Sequence, residues 1–193
     1  MQRALNRPIS KRIVVQTVFL FLGFYLPFLL AWIQVKNNYG YGVTYIASTL
    51  VTVLKEVQFE EMSRRGDVIQ ATFSRPHPKN RRFDILIDIP AKTSSYTFNV
   101  PLTLAIMASL FPFMSRKKRA YAEVLLILIS VHLLYVLSLE ANGTTTFLIE
   151  RGWGAVSKPT LFAYQFLWEF TNNMVIRFEP FLIGFYMFIR FRK

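Results

Sequence analysis

The chain has 193 residues, 53% of them hydrophobic, with nineteen Phe, no Cys and a net charge of +12. The missing cysteine excludes disulfides, thiolate metal sites and a Cys nucleophile, and it leaves the redox compartment open. The charge excludes little by its size, but eleven of the 23 basic residues fall in three acid-free clusters, at 1–12, 115–119 and 190–193, while the other twelve nearly cancel the eleven acids.

Each basic cluster flanks an apolar run, as expected for segments held on the cytoplasmic side of a membrane. Short tails alone would have to supply a nucleic-acid groove, so no nucleic-acid partner is expected. The first apolar run, Ile13 to Val35, meets the roughly 20 residues needed to cross a 30 Å core. It is longer than a signal-peptide core and no small-x-small cleavage site follows, so it reads as a retained anchor. Pro27 marks a kink that neighbouring helices can satisfy.

Residues 36–95 then read as an extracytoplasmic α+β domain. Tyr41 to Met62 carries Val43, Ile46, Leu50, Val53, Leu54 and Val57 at the period of an amphipathic helix, with Gly66 of Arg64-Arg65-Gly66-Asp67 as its stop. Glu60-Glu61-Met62-Ser63-Arg64-Arg65 contains the Glu-Glu-x-x-x-Arg pattern of intramembrane CAAX-type proteases. Those enzymes place it in a membrane helix joined by metal-binding or water-activating histidines; no matching histidine-containing helical motif follows here, and the segment reads as the solvated end of the helix. Val68 to Arg75 is expected as a strand with Ile69, Ala71 and Phe73 on one face, and Pro76 to Asn80 as a turn. Arg82 to Ile89 alternates Phe83, Ile85, Ile87 and Ile89 with Asp84, Leu86 and Asp88, a half-buried strand. Thr93 to Phe98 adds a possible third. About 60 residues are marginal alone, so this domain should rest on the spans or on a partner.

Residues 96–193 hold the remaining spans. The second is Tyr96–Met114, with Pro101 suited to a first helical turn. The third is Tyr121–Leu139. Between them the basic loop of Arg116, Lys117, Lys118 and Arg119 sets topology. The outer loop, 140–159, carries the sequon Asn142-Gly143-Thr144, which matters only in a eukaryotic cell. The apolar stretch Thr160–Arg192 would reach roughly 50 Å as a helix, so a break near Asn172-Asn173 is expected to leave Met174–Phe191 as the fourth span. The expected fold is therefore a membrane α-helical protein with four transmembrane helices, both termini cytoplasmic, and a small insert of one amphipathic helix and two or three antiparallel strands.

Glu169, Asn173 and Arg177 recur every fourth residue and share one helix face; Glu179 follows. Ionisable groups in lipid cost roughly 2.5–3.5 kcal/mol each at mid-span and face protein, water or a partner. The stripe therefore reads as an interfacial band, a docking or ligand-gripping face, or part of an ion pathway. His132 lies mid-way along the third span with Glu123 nine residues earlier, a possible intramembrane polar site. Zinc needs three protein ligands, so His132 is either a helix-packing residue or one partner of a carboxylate from another span. Glu123, near the basic loop, should snorkel toward it. There is no Gly-x-Ser-x-Gly elbow and no phosphate-cradling glycine loop. No catalytic residue, cofactor or metal is implied.

The order of these elements, the Asn99-Val100-Pro101-Leu102 entry to the second span and the late Arg177-Phe178-Glu179-Pro180-Phe181 segment resemble the small bacterial membrane proteins associated with exosortases, in particular the exosortase-H-associated type. The resemblance implies an inner-membrane accessory of surface-protein sorting, with cysteine transpeptidase-like chemistry in a partner. The expected function is that of a non-enzymatic accessory in contact with membrane lipid, docking to a larger membrane protein in sorting, export or envelope assembly. The alternative is a small intramembrane enzyme or carrier using His132 and the polar residues of the last span.

Overall fold

The computed structural model describes residues 11–78, 82–153 and 156–191. Its first element, α1, runs unbroken through Lys11–Leu54 for 44 residues, with Pro27 inside it. The expected first span and the helical part of the outer insert are thus one helix, and residue 36 is not a break. The helix stops at Leu54, and Gln58–Arg65 forms strand β1 instead of its continuation. Glu60, Glu61 and Arg65 of the protease-like pattern therefore lie exposed on a strand and not at a helix end.

The C-terminal half of α1 is amphipathic and buries Val43 as expected, but most of the large apolar residues expected on the covered face point outward. It buries Gly40, Val43, Thr44, Ala47, Ser48 and Val51, while Ile46, Leu50, Val53 and Leu54 stay exposed. Small side chains let helices approach closely, which is how membrane helices pack. At Gly40 a Cβ would stand 2.5 Å from Thr93 Cγ2, so the contact between this helix and the segment after the sheet depends on glycine.

Gly66, at φ +61°, opens the turn that joins β1 to β2 (Val68–Pro76). Arg65 pairs with Val68, so the turn holds two residues, Gly first, as a type II′ hairpin requires. The ladder slips between Phe59 and Glu61, where a bulge absorbs one residue. Strand β3 (Asp84–Lys92) pairs antiparallel with β2, giving the order β1-β2-β3. Ile69, Ala71 and Phe73 face Ile85, Ile87, Ile89 and Ala91 on the covered side, as the alternation requires, whereas Phe83 precedes the strand and is exposed. Thr93–Thr97, the possible third strand, is a short helix, α2; the third strand is β1.

Helix α3 (Val100–Leu110) begins with Pro101 in its first turn and tightens into a 3₁₀ turn at Phe111–Phe113. Helix α4 spans Lys117–Glu150, and α5 spans Lys158–Phe170 behind a Ser157 cap whose Oγ accepts from the Thr160 N–H. The expected break at Asn172-Asn173 is not a break. Thr171–Val175 is a single π-helical turn, after which α6 continues through Ile176–Phe191. Such a turn inserts one residue without ending the helix.

Among the described residues, three helical segments are long and apolar enough to cross a membrane: Lys11–Leu54, Thr93–Phe113 and Lys117–Glu150. An inner core of Val100, Met107, Met114, Val124, Leu128, Ile183 and Met187 joins α3, α4 and α6. The sheet lies along the C-terminal halves of α1 and α4, where Phe73, Ile85 and Ile87 pack with Val51 and Leu148. At the sheet's lower edge Lys36 pairs with Asp67 at 3.0 Å, the Thr93 N–H donates to the Asp67 carbonyl, and Arg64, Arg65 and Lys92 are exposed.

Candidate functional site

The polar residues singled out in the sequence divide into an enclosed set and a surface set. On α4 the buried face runs Leu128, His132, Val136 and Glu140, one residue per turn. His132 thereby points at α1 and α6 together. Its Nδ1 lies 2.7 Å from the Tyr39 hydroxyl of α1, and its Nε2 lies 3.5 Å from Glu179 Oε2. Tyr39 and Tyr96 both set a ring edge-on to the imidazole, with centroids 5.6 and 5.8 Å away. His132 and Glu179 are buried, and neither Glu179 oxygen nor His132 Nε2 has a hydrogen bond. Above this cluster Ser48 Oγ donates to Glu140 Oε1 at 2.8 Å, and the second Glu140 oxygen has no partner. Around the π turn Tyr135 donates to Asn172 Oδ1 at 3.3 Å, and the Asn99 amide donates to the Ile176 carbonyl.

Glu179 thus leaves the expected stripe and turns inward, because a two-residue step from Arg177 places it across the helix. Glu169, Asn173 and Arg177 stay together outside: Asn173 Nδ2 donates to Glu169 Oε2 at 2.7 Å, and Glu169 and Arg177 are exposed. Among the described residues no carboxylate pairs with Arg177. Beside this stripe stand Phe162, Phe166 and Phe170, 69%, 56% and 45% exposed, stacked in sequence at 6.1 and 5.8 Å. Helix α5 buries no residue.

Glu123 and His132 are not brought together. Glu123 sits at the opposite end of α4, accepting from Arg119 at 2.7 Å, Tyr186 at 2.5 Å and Arg190 at 3.2 Å. It reaches the basic loop, as its position near that loop suggested. Arg116 stands at the start of α4 with φ +49°, and Lys117 Nζ lies over the Phe111 ring at 3.7 Å. No three acidic or histidine side chains among the described residues group as a metal site. Tyr39, Ser48 and Glu140 belong to the enclosed set without having been singled out in the sequence. Only the acid ending the third apolar run, Glu140, carried a local signal; the hydroxyl partners come from a distant helix.

The cavities lie elsewhere. An apolar groove of about 450 Å³ runs between α1, α3 and α6 along Val18, Ile106 and Phe185. Two polar clefts, of about 440 and 260 Å³, share Glu56 and Arg75 at the outer end of the molecule. Neither His132 nor Glu179 lines any of these. Comparison with family models, with curated proteins and with solved structures found no match to this chain.

Proposed function

We propose that this protein is a non-enzymatic accessory of the bacterial inner membrane that docks to a larger membrane protein in sorting, export or envelope assembly, as the exosortase-associated resemblance implies. The observation that carries the reading is α5, which has no fully buried residue, packs through Tyr164 and Trp168, and presents stacked phenylalanines beside Glu169, Asn173 and Arg177. Aromatic anchors flanked by Arg are the composition of binding hot spots. The partner surface this face fits is a helix that also continues beyond the bilayer, apolar over the phenylalanines and acidic opposite Arg177.

A four-span topology supports placing this face outside. Arg12 and Lys36 on α1 stand 24 residues apart, roughly 36 Å of helix, against about 30 Å of hydrocarbon core. In this arrangement the basic groups of Lys11, Arg12, Arg116, Lys117 and Arg190 line the inner boundary. Lys36, Arg64, Arg65 and Lys92 line the outer one. Arg177 falls at the outer boundary, and α5 stands above it.

The second reading, an intramembrane enzyme or carrier, rests on the approach of His132 and Glu179. A catalytic centre must admit a substrate, and that pair is enclosed by Tyr39 and Tyr96. Affinity isolation in mild detergent separates the two. Docking expects a copurifying membrane protein, lost in Arg177→Ala and only weakly restored in Arg177→Lys, because lysine keeps charge but not the guanidinium fork. Full copurification with Arg177→Ala sinks the docking face. Cysteines at the exposed Ser63 and Glu150 should label from outside intact cells and one at Ser115 should not, whereas Thr145 is buried and reports nothing on topology; the reverse pattern overturns the orientation.

A further inference from the structure

At the end of the molecule where α1 stops, Lys55 follows the last residue of α1 and Arg75 is the penultimate residue of β2. Both line the 260 Å³ cleft against Thr144, Thr145 and Leu148 of α4. Lys55 Nζ donates to Thr145 Oγ1 at 2.6 Å and lies 3.4 Å from the centre of the Tyr164 ring. Among the described residues it has no carboxylate partner. The hydroxyl hydrogens of Thr144 and Thr145 go back to their own helix, to the Glu140 and Ala141 carbonyls. The hydrogens still free to be donated into the cleft are therefore those of the Lys55 ammonium and the Arg75 guanidinium. Among the described residues the only acid that meets Arg75 is Glu56, at 3.5 Å, and that carboxylate is 93% exposed.

From this geometry we infer that the cleft is a binding site for a carboxylate at the end of a peptide-like ligand. Two cations and one acid leave a single positive charge, which matches a carboxylate better than a doubly charged phosphate. The adjoining 440 Å³ cleft, where Pro76, Pro78 and the His77–Trp153 edge-on pair stand beside Glu56 and Arg75, gives the ligand's body a lining of rings and polar groups, suited to the mixed surface of a peptide. The state of Lys55 agrees. Burial without a counter-ion lowers its pKa from 10.5 to about 8, and a bound carboxylate supplies the missing charge. Tyr164 of α5 touches Lys55, but it lies two residues from Phe162 and Phe166, across the helix from the stacked phenylalanines, so the site does not depend on the docking reading.

The test uses full-length protein in detergent and a library of N-acetylated tripeptides with free C-terminal carboxylates, set against the same library as C-terminal amides. Calorimetric titration should find acids that bind at least about tenfold more tightly than their amides, the worth of one charge-assisted contact. Lys55→Gln should remove that preference, and affinity should fall as pH rises through about 8. Glu56→Gln, which frees Arg75 on an exposed side chain, should tighten binding and so guards against a variant that merely misfolds. Acetate binding as tightly as the best tripeptide would assign the site to small organic acids and overturn the peptide assignment. Amides that match their acids, or a Lys55→Gln protein that keeps the preference, would overturn the site altogether.

Discussion

The half of this helical assembly that carries the sheet, its outer half, and the half away from the sheet, its inner half, are built on different principles. In the outer half α1, α2, α4 and α6 interlock through Tyr39, Ser48, Tyr96, His132, Glu140 and Glu179, small residues bring the helices close, and the sheet covers the result. In the inner half the core is apolar, drawn from α3, α4 and α6. The most apolar stretch of α1 there has no buried residue. The bonds of Tyr39 with His132 and of Ser48 with Glu140 favour one arrangement of the helices, because a slip leaves those buried groups unpaired as well. An apolar contact tolerates small slips, and the surrounding lipid can cover what the protein does not. The outer half therefore carries the specification of the structure, and the inner half serves chiefly as its anchor.

The sharpest way to break this contrast is at the buried pair. His132→Leu strands the Tyr39 hydroxyl and leaves Glu179 without its neighbour, and a buried polar group left unmet costs about 1–3 kcal/mol. The double variant His132→Leu with Glu179→Leu should recover the part of that loss due to Glu179, read as thermal unfolding in detergent and as membrane abundance. A single variant as stable as the parent would mean the pair does not hold the outer half together. In the sheet, Ile87→Asp should cost at least the roughly 2–5 kcal/mol lost on truncating a buried isoleucine. Asp84→Ala, on the exposed face, should cost little. Equal effects would contradict the alternation seen along β3.

Glycines sharpen the comparison further. A methyl at Gly40 meets Thr93 and Tyr96, whereas at Gly23 nothing lies within 4 Å. Gly40→Ala should destabilise by about 1–3 kcal/mol through overpacking. Gly23→Ala in the inner half should be neutral or stabilise by up to about 1 kcal/mol, since alanine is the better helix former. The same sign for both, measured as unfolding temperature, would erase the distinction between the halves.

What the sequence made legible follows the same division. The apolar runs, the helix from Val100, the two strands around Ile69–Phe73 and Ile85–Ile89, and the link of Glu123 to the basic loop were readable, because each is a local pattern. The face that α1 buries was not. Periodicity shows that residues 43–57 have two sides, but the rule that apolar sides face inward fails where small residues mediate helix contact and large ones point out. Strand β1 was hidden because Val57 continues the helical spacing of Val43, Leu50 and Leu54, while the bulge at Glu60 spoils strict alternation. The partnership of His132 with Tyr39 and Glu179 was out of reach for another reason: three helices meet there, and nothing local in any of them names the other two. The stripe of Glu169, Asn173 and Arg177 was legible as a face, though not that Glu179 would leave it.

The smallest expected effect lies where the two halves join. Asp67, in the hairpin turn, is bonded by Lys36 of α1 at 3.0 Å and by the Ser94 backbone N–H at 3.3 Å. Burial opposes its ionisation, but the Ser94 and Lys36 bonds and the Lys36 charge outweigh it and hold the carboxyl below its usual 3.8. A carboxyl so depressed contributes stability that is fully present above the unfolded value. That contribution is lost as pH falls through the folded one. Both side chains are about a quarter exposed, so screening keeps the contribution to roughly 1 kcal/mol or less. Asp67→Asn should therefore be slightly less stable than the parent by a constant margin above about pH 5. The margin should begin to close near 3.8 and vanish below the folded value. Lys36→Gln should narrow it in the same direction, since the lysine supplies part of the depression. Denaturant unfolding in detergent across pH 2.5–7, a range chosen to span roughly both carboxyl states, reads this directly. A margin that persists unchanged at the acid end would mean that Asp67 ties the hairpin to α1 by shape and backbone bonding alone, with its charge contributing nothing.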